Sequence, residues 1–351
     1  MHYQGDEYSN GNAAREAAQN LLASGVNVPP MPSVGTKIFK MVQKPIDRID
    51  TRDLCKLIEP DPGLYSKLLQ VANSPFYRGV DEIIGLRSAV TRIGLEETVN
   101  AVNLYFVQQF LPKIDDLHGL SANDYWAFTW ACATAAKRLG HPNISQSANP
   151  GELYIAGLLQ GIGRLILAVY HTDEFANCLD LAKEFKLPLQ NVLLERFGTT
   201  DSLIASELIS TWNIPKRICA AVEFCHEPQR APEEYQEFAG LTQLAYRLAS
   251  LSKFGQNGDG VVLDLNTAWI LNQPTGNLSN PKFQKDLTED VLELIEKKAE
   301  MISSRTEVND DDDAEKKAAD EPTPVQSPRP RPRMREQKPK GLWAKIKSFF
   351  T

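Results

Sequence analysis

Apolar side chains recur every three to four positions through most of the first 303 residues, a spacing typical of amphipathic helices. Prolines, glycines and short polar side chains interrupt this pattern and mark the ends of the segments. The pattern predicts helices at residues 13–23, 34–44, 51–59, 63–72, 88–93, 97–110, 122–139, 153–171, 173–185, 189–197, 201–212, 215–223, 235–254 and 285–303. The turn-rich stretch 255–280 is predicted as a loop, in which VVLDL forms either a short strand or an extended packing segment.

The segment at residues 153–171, LYIAGLLQGIGRLILAVYH, is apolar on nearly every face and carries one internal charge. It is too long for an ordinary strand and lacks a period of two, so it is predicted to be a central helix enclosed by the others. Gly157 and Gly161 lie four residues apart on one face, where missing Cβ atoms allow a neighbouring helix to approach closely.

The predicted fold class is all-α, with two packed helical subdomains joined near residue 115. Different compositions at the two ends of the chain suggest further divisions. The predicted units are an N-terminal extension (1–27), an N-terminal helical subdomain (28–115), a second helical subdomain (116–304), a linker (305–340) and a short amphipathic helix (341–351).

The composition changes after residue 304. Residues 307–321 contain eight acidic side chains, and a stretch rich in proline and arginine follows, so 305–340 is predicted to be a disordered linker. In the final segment, GLWAKIKSFFT, a helix would separate apolar from basic side chains. The apolar side would carry Leu342, Trp343, Ile346, Phe349 and Phe350, and the remaining surface would carry Lys345 and Lys347.

This final segment would rise only about 16 Å as a helix, which is too short to span a bilayer. Three alternatives remain open: it folds back onto its own domain, lies on an anionic membrane surface, or docks into a groove of a partner protein. From residue 329 onward there are eight basic residues and one acidic residue. This charge and the aromatic side chains favour the membrane surface.

Net charge and cysteine content narrow the classes of function. The formal net charge is −7, and residues 301–351 carry eleven basic and nine acidic side chains, so residues 1–300 carry −9. An acidic body argues against nucleic acid as a partner, although the Pro-Arg tract keeps that reading open. Five scattered cysteines without a CxxC pair indicate reduced thiols, and no secretory signal is recognisable. A cytoplasmic protein is therefore expected. If the tail binds the membrane, the protein would be peripheral at its inner face.

A series of segments resembles the HDOD family, the HD-related output domains, in both order and spacing. They cover roughly residues 28–250 and are VPPMPSVGTKIFKMV, LIEPDPGLYSKLLQVANSPFYRG, IGLRSAVTRIGLEETVNAVNL, YWAFTWACATAAKRL, ELYIAGLLQGIGRLIL and DSLIASELISTWNIPKRICAAVEFCHEP. The resemblance implies an HD-like multi-helix domain, with 28–115 as its N-terminal helical subdomain and 116–304 as its HD-like subdomain. It also implies a catalytically inactive relative of HD phosphohydrolases that acts in bacterial signalling, often through protein contacts.

The candidate site follows from comparing AGLLQGIGR with AGLLHDIGK, the signature of active HD phosphohydrolases. The metal-binding His-Asp pair is replaced in this chain. Aligned positions of the degenerate site are Phe128, Gln160, Gly161, Asp201, Cys225 and His226. Only the last three can bind metal, and His226 is interpreted as a helix-end histidine, so no catalytic residue, metal or cofactor is expected.

Residues 73–78, NSPFYR, follow a predicted helix, and the resemblance runs through them. The simpler interpretation is a helix stop whose aromatic side chains fill the core. The alternative is that Tyr77 and Arg78 contact a partner.

These observations predict a non-enzymatic signalling or scaffold protein that acts through protein–protein contacts. Its C-terminal helix would tether it to the membrane surface or to a partner. The alternative is a residual metal-dependent phosphohydrolase or nucleotide-binding pseudoenzyme that uses Asp201 and His226.

Overall fold

A computed structural model describes residues 11–26, 28, 33–42, 44, 46–74, 77, 81–111, 120–212, 214–274 and 277–303. The predicted linker 305–340 and the predicted helix 341–351, with its candidate contact residues Leu342 to Phe350, lie outside the described residues, as does Arg78. Within the described ranges the protein contains α-helices and short 3-10 turns and no β-strand, which confirms the all-α prediction.

The helices are numbered in chain order. The first six are α1 (Gly11–Ala23), α2 (Ser33–Val42), α3 (Thr51–Ile58), α4 (Pro62–Ala72), α5 (Leu86–Ile93) and α6 (Leu95–Phe110). They are followed by α7 (Ala122–Leu139), α8 (Pro150–Leu159), α9 (Ile162–Tyr170), α10 (Thr172–Phe185) and α11 (Leu189–Phe197). The last are α12 (Asp201–Ser210), α13 (Lys216–Glu223), α14 (Glu233–Ser252) and α15 (Pro281–Ser303).

Helix starts are set by side chains that accept hydrogen bonds from free backbone N–H groups. Asp50 accepts from the backbone N of Arg52 at the start of α3, and Ser121 accepts from the backbone N of Asp124 at the start of α7. Each is a short polar side chain directly before a predicted helix, which is the sequence pattern of an N-cap. A third cap, Thr200 at the start of α12, accepts from the backbone N of Leu203 and directly precedes Asp201.

The predicted central helix is wrong in one respect, because it consists of two helices, α8 and α9. The break falls at Gln160–Gly161, where the backbone N of Arg164 donates to the carbonyl oxygen of Gly161 at 3.1 Å in a tight three-residue turn. By length and composition Pro150–Tyr170 would qualify as a membrane span, but 83% of its apolar window is buried inside the protein. This burial is expected of a core helix.

The glycines of this segment allow close packing at two places. A Cβ atom on Gly157 would lie 2.6 Å from the Cα of Ala133 on α7, so the predicted close approach of a neighbouring helix is present there. A Cβ atom on Gly161 would lie 3.3 Å from the hydroxyl oxygen of Tyr125, so the packing at Gly161 is less close than at Gly157. Gly163, which the sequence did not single out, packs directly against the backbone of Asp201.

The remaining elements enclose this centre. α7, α8 and α14 pack together, and α6 of the N-terminal half contacts α8. Helix α1 lies across α12, where Arg15 pairs with Glu207 and Glu223. Residues 255–274 and 277–280 form a loop with 3-10 turns, as predicted, and the strand alternative for VVLDL is not observed.

Candidate functional site

The six aligned positions come together around one small cavity, although they are distant in sequence. They are Phe128 on α7, Gln160 and Gly161 in the turn between α8 and α9, Asp201 at the start of α12, and Cys225 and His226 after α13. The cavity has a volume of about 10 Å³, room for one water molecule at most. The geometry therefore brings these positions together but leaves almost no space among them.

The guanidinium of Arg164 fills the centre of the site. Its Nε donates to Oδ2 of Asp201 at 2.6 Å, and both side chains are almost fully buried, at 3% and 1% exposure. Its Nη1 donates to the backbone carbonyl of Asn257 at 2.6 Å, and its Nη2 donates to the hydroxyl of Tyr246 at 3.0 Å. One cation thus connects α9, α12, α14 and the loop that follows α14.

A second carboxylate reaches the same guanidinium from that loop. Oδ1 of Asp259 lies 3.7 Å from Nη2 of Arg164, and the hydroxyl of Tyr246 donates to Oδ2 of Asp259. The backbone N of Leu189 also donates to Oδ1, at 3.1 Å. The loop can approach closely because Gly255 has a positive φ of 79° and packs against the backbone of α7, where a side chain would collide.

Electrostatics in the site are set by this pairing. Burial would raise the pKa of Asp201, but the charge of Arg164 outweighs it and holds that pKa below its ordinary value. Burial lowers the pKa of His226, partly opposed by the nearby carboxylate of Asp201. Asp201 is therefore ionised and His226 neutral near pH 7.

These residues do not fit a divalent metal. The metal would need several carboxylate, imidazole or thiolate ligands, yet Oδ2 of Asp201 is bound to a guanidinium that would repel a cation. Burial raises the pKa of the Cys225 thiol, so its thiolate is disfavoured. Among the residues that the structure describes, no group of three or more His, Cys, Asp or Glu side chains is placed to hold a metal.

Some polar atoms beside the guanidinium lack a protein partner. The side-chain amide of Gln160 and Oδ1 of Asp201 are buried and accept or donate no hydrogen bond within the described part of the chain. The amide can hold a water molecule, and its single oxygen beside a guanidinium adds too few ligands to bind a metal ion. The orphaned atoms thus do not restore a metal site.

Sequence reasoning missed the residues that dominate this site. Arg164 was visible as the single charge in an apolar segment, and a buried charge needs a partner, so the sequence contained this signal. Tyr246 lies on a helix with ordinary periodicity, and Asp259 lies in a glycine-rich turn typical of any surface loop. Nothing local distinguished either residue.

Tyr77 lies away from this site, in a cleft between the N-terminal helices and α7. It is half-buried and packs against the hydrophobic core, and its backbone N donates to the carbonyl of Ser74 at 3.0 Å. Tyr77 thus contacts the core and also lines the cleft, while Phe76 and Arg78 lie outside the described residues.

Comparisons with known proteins support the same fold. A family model described as the HDOD domain matches residues 28–228. An HDOD domain protein of unknown function from Geobacter sulfurreducens is 20% identical, with 82% of this chain and 98% of that chain covered and a TM-score of 0.68. A candidate signal transduction protein from Marinobacter aquaeolei is 19% identical, with coverages of 83% and 68% and a TM-score of 0.62.

Two further relatives extend the comparison. A candidate phosphohydrolase from Shewanella amazonensis is 19% identical, with 81% of this chain and 99% of that chain covered and a TM-score of 0.54. An uncharacterized protein from Treponema pallidum is 23% identical over 221 residues, which are 62% of this chain and 41% of that protein. The match thus spans about two fifths of that relative, and at these identities the structural likeness concerns the fold.

Proposed function

Because the chain belongs to the HDOD domain family, we propose that it is a regulatory protein of bacterial signalling that acts through protein–protein contacts and not through catalysis. A candidate signal transduction protein with the same fold supports the regulatory role. A candidate phosphohydrolase also shares the fold, so the fold alone does not distinguish a regulator from a hydrolase. The residues of the site carry that distinction.

The observation that carries the proposal is the buried ion pair between Arg164 and Asp201. In HD phosphohydrolases a metal-bound water attacks phosphorus, and the metal both activates the water and neutralises charge. Here the guanidinium holds the carboxylate that a metal would need, and the surrounding cavity of about 10 Å³ cannot admit a phosphoester. The alternative of a residual hydrolase that uses Asp201 and His226 would require Arg164 to leave its partners.

Metal analysis and a hydrolysis assay test this proposal. Gently purified full-length protein is expected to contain less than about one tenth of an equivalent of Mn, Fe or Zn, because the site offers too few ligands. Hydrolysis of bis(4-nitrophenyl) phosphate with added Mn²⁺ should not exceed the rate without protein. Asp201→Asn is the control, since turnover that this substitution abolishes would establish catalysis at the site and contradict the proposal.

The tail supports a second element of the proposal, attachment to the cytoplasmic face of the membrane or to a partner. Residues 341–351 lie outside the described part of the chain, so the support comes from their sequence. Large apolar side chains and flanking lysines after a charged stretch suit an anionic lipid surface, where each basic residue contributes roughly 1 kcal/mol. Partner docking is the competing role of the same side chains.

Co-sedimentation with lipid vesicles distinguishes these roles. The intact protein should pellet with vesicles of phosphatidylcholine and phosphatidylglycerol, less at high salt, while a variant ending at Ser304 should stay in solution. Trp343→Ala with Phe349→Ala should bind several-fold less, because apolar burial is lost while all lysines remain. Equal pelleting of the intact and shortened proteins would remove the membrane role.

A further inference from the structure

A cleft of about 370 Å³ lies where α4 and α6 of the N-terminal half meet α7, α8 and α15. Its volume is within the range of small-molecule sites, which occur preferentially where subdomains meet. None of its lining residues belongs to the small cavity around Arg164. Trp130 and Tyr154 form part of its wall and are 9% and 3% exposed, with Tyr77 at another side, so the cleft has an aromatic lining of small exposed area.

Three cationic side chains line this cleft, and their exposed fractions run from 14% to 32%. The side chain of Lys137 is only 14% exposed, pairs with Glu96 at 2.8 Å, and lies 5.8 Å from the ring centroid of Tyr154. Burial lowers the pKa of Lys137, although Glu96 opposes the shift. Since an ammonium group offers three donors, an ion pair with one carboxylate that is itself 58% exposed does not exhaust its binding capacity.

The neighbouring residue, Arg138, contributes a second donor. Its Nε pairs with Asp290 at 2.8 Å, but its Nη1 is buried and has no hydrogen-bond partner among the described residues. Buried donors without partners are rare, because each one loses its hydration without compensation. Lys298, the third cation of the cleft, pairs with Glu97 at 2.7 Å.

Each cation of the cleft has one carboxylate partner, because Lys137 pairs with Glu96, Arg138 with Asp290 and Lys298 with Glu97. The charges therefore balance, and what remains for a ligand is donor capacity on Lys137 and on Nη1 of Arg138. These two cations lie on α7, the same helix as Trp130. Adjacent positive donors and flat aromatic surface are complementary to an anion that carries a planar ring.

We propose that this cleft binds a small aromatic anion, whose charged group pairs with Lys137 and Arg138 while its ring packs against Trp130 and Tyr154. The anion would compete with Glu96 for Lys137. Because that ion pair links α6 to α7, occupation of the cleft would weaken one connection between the N-terminal helices and the rest of the domain. The cleft would then supply a regulatory protein with a small-molecule input.

Two matched fluorescent probes test the charge requirement in the full-length protein. The first, 1-anilinonaphthalene-8-sulfonate, has a planar ring and an anion, and N-phenyl-1-naphthylamine has the same rings without the sulfonate. The sulfonate probe should bind at one site, at least about tenfold more tightly than the neutral probe. A charge-assisted hydrogen bond in a buried site accounts for a difference of this size. Equal affinity of the two probes would overturn the proposal.

Substitutions locate the binding. Lys137→Met should weaken sulfonate binding about tenfold and leave the neutral probe unaffected, and Glu96→Gln should strengthen it several-fold by removing the competitor. Lys56→Met, at an exposed ion pair with Asp53, is the matched control and should change nothing. If circular dichroism shows that Lys137→Met is unfolded, the effects of Arg138→Gln and Glu96→Gln on sulfonate binding still test the proposal. Sulfonate binding that neither substitution changes would place the probe elsewhere and refute the proposal.

Discussion

Arg164→Met is expected to lower the free energy of unfolding by about 3–5 kcal/mol, because removing one partner leaves a buried charge without compensation. Asp201 is almost fully buried and loses its only cationic contact within 4 Å in the described residues, and Asp259 loses the same guanidinium. Methionine preserves most of the apolar volume, so the loss is mainly electrostatic. Urea unfolding of the full-length protein, followed by circular dichroism, measures the change.

Two further variants separate the ion pair from the packing. Arg164→Met combined with Asp201→Leu should recover much of the lost stability, because a buried ion pair can be replaced by apolar side chains at small cost. Arg52→Ala breaks the exposed pair with Asp50 and should leave the unfolding midpoint unchanged. If Arg164→Met were no more destabilising than Arg52→Ala, the guanidinium would not be the counter-charge of the site.

The contribution of Asp201 to the pH dependence of stability should reverse in Arg164→Met. In the natural protein Arg164 lowers the pKa of Asp201, so the stabilisation is present above the ordinary carboxyl pKa of about 3.9 and is lost as pH falls through the lower folded-state value. In Arg164→Met the guanidinium no longer offsets burial, which raises the pKa of Asp201. Relative to the natural protein, the stability of the variant should therefore increase as pH falls towards the ordinary carboxyl pKa of about 3.9.

The arrangement of helices was largely readable from local patterns. Apolar spacing and the caps at Asp50 and Ser121 identify helices that the structure contains, because each signal is determined within a few residues. The break at Gln160–Gly161 was missed. Gln160 keeps helical backbone angles, φ −59° and ψ −30°, and a glycine within a helical pattern is compatible with both continuation and interruption.

Only part of the candidate site could be predicted from the sequence. The positions of its residues follow from the resemblance, whereas its chemistry depends on contacts in the folded chain. The resemblance to HD phosphohydrolases indicated where ligands are missing, at Gln160 and Gly161. What fills their place depends on contacts between distant parts of the chain, such as those of Arg164 with Asp201 and Asp259. A lone arginine in an apolar helix predicts a buried partner, but it does not identify which carboxylate that partner is.

A guanidinium paired with Asp201 gives the site different chemistry from a metal ion. A guanidinium is a permanent cation that binds carboxylates in fixed geometry, but it carries no exchangeable water to activate. In this protein it joins α9 to α12 through Asp201 and to the loop after α14 through Asn257. The buried guanidinium is thus a structural connection between these elements, and under the proposed function ligands and partners would act at the surfaces and at the cleft beside α7.

Gly163→Ala is expected to destabilise the protein by about 3 kcal/mol, because a well-packed centre cannot admit an additional methyl group without moving backbone. A Cβ atom there would overlap the carbonyl oxygen of Asp201 and lie 2.7 Å from its carbonyl carbon. Alanine favours a helix over glycine by about 1 kcal/mol, which is too small to offset the collision. Separation of α9 from α12 would also lengthen the ion pair between Arg164 and Asp201.

Gly161→Ala is the matched control, two residues away in the same segment. Its added Cβ would meet the hydroxyl of Tyr125 at 3.3 Å, the far end of a side chain that can shift by a few tenths of an ångström. The expected cost is therefore below about 1 kcal/mol in the same urea titration. Should Gly163→Ala cost no more than Gly161→Ala, the backbone contact between α9 and Asp201 could not be what fixes Arg164 against its partner.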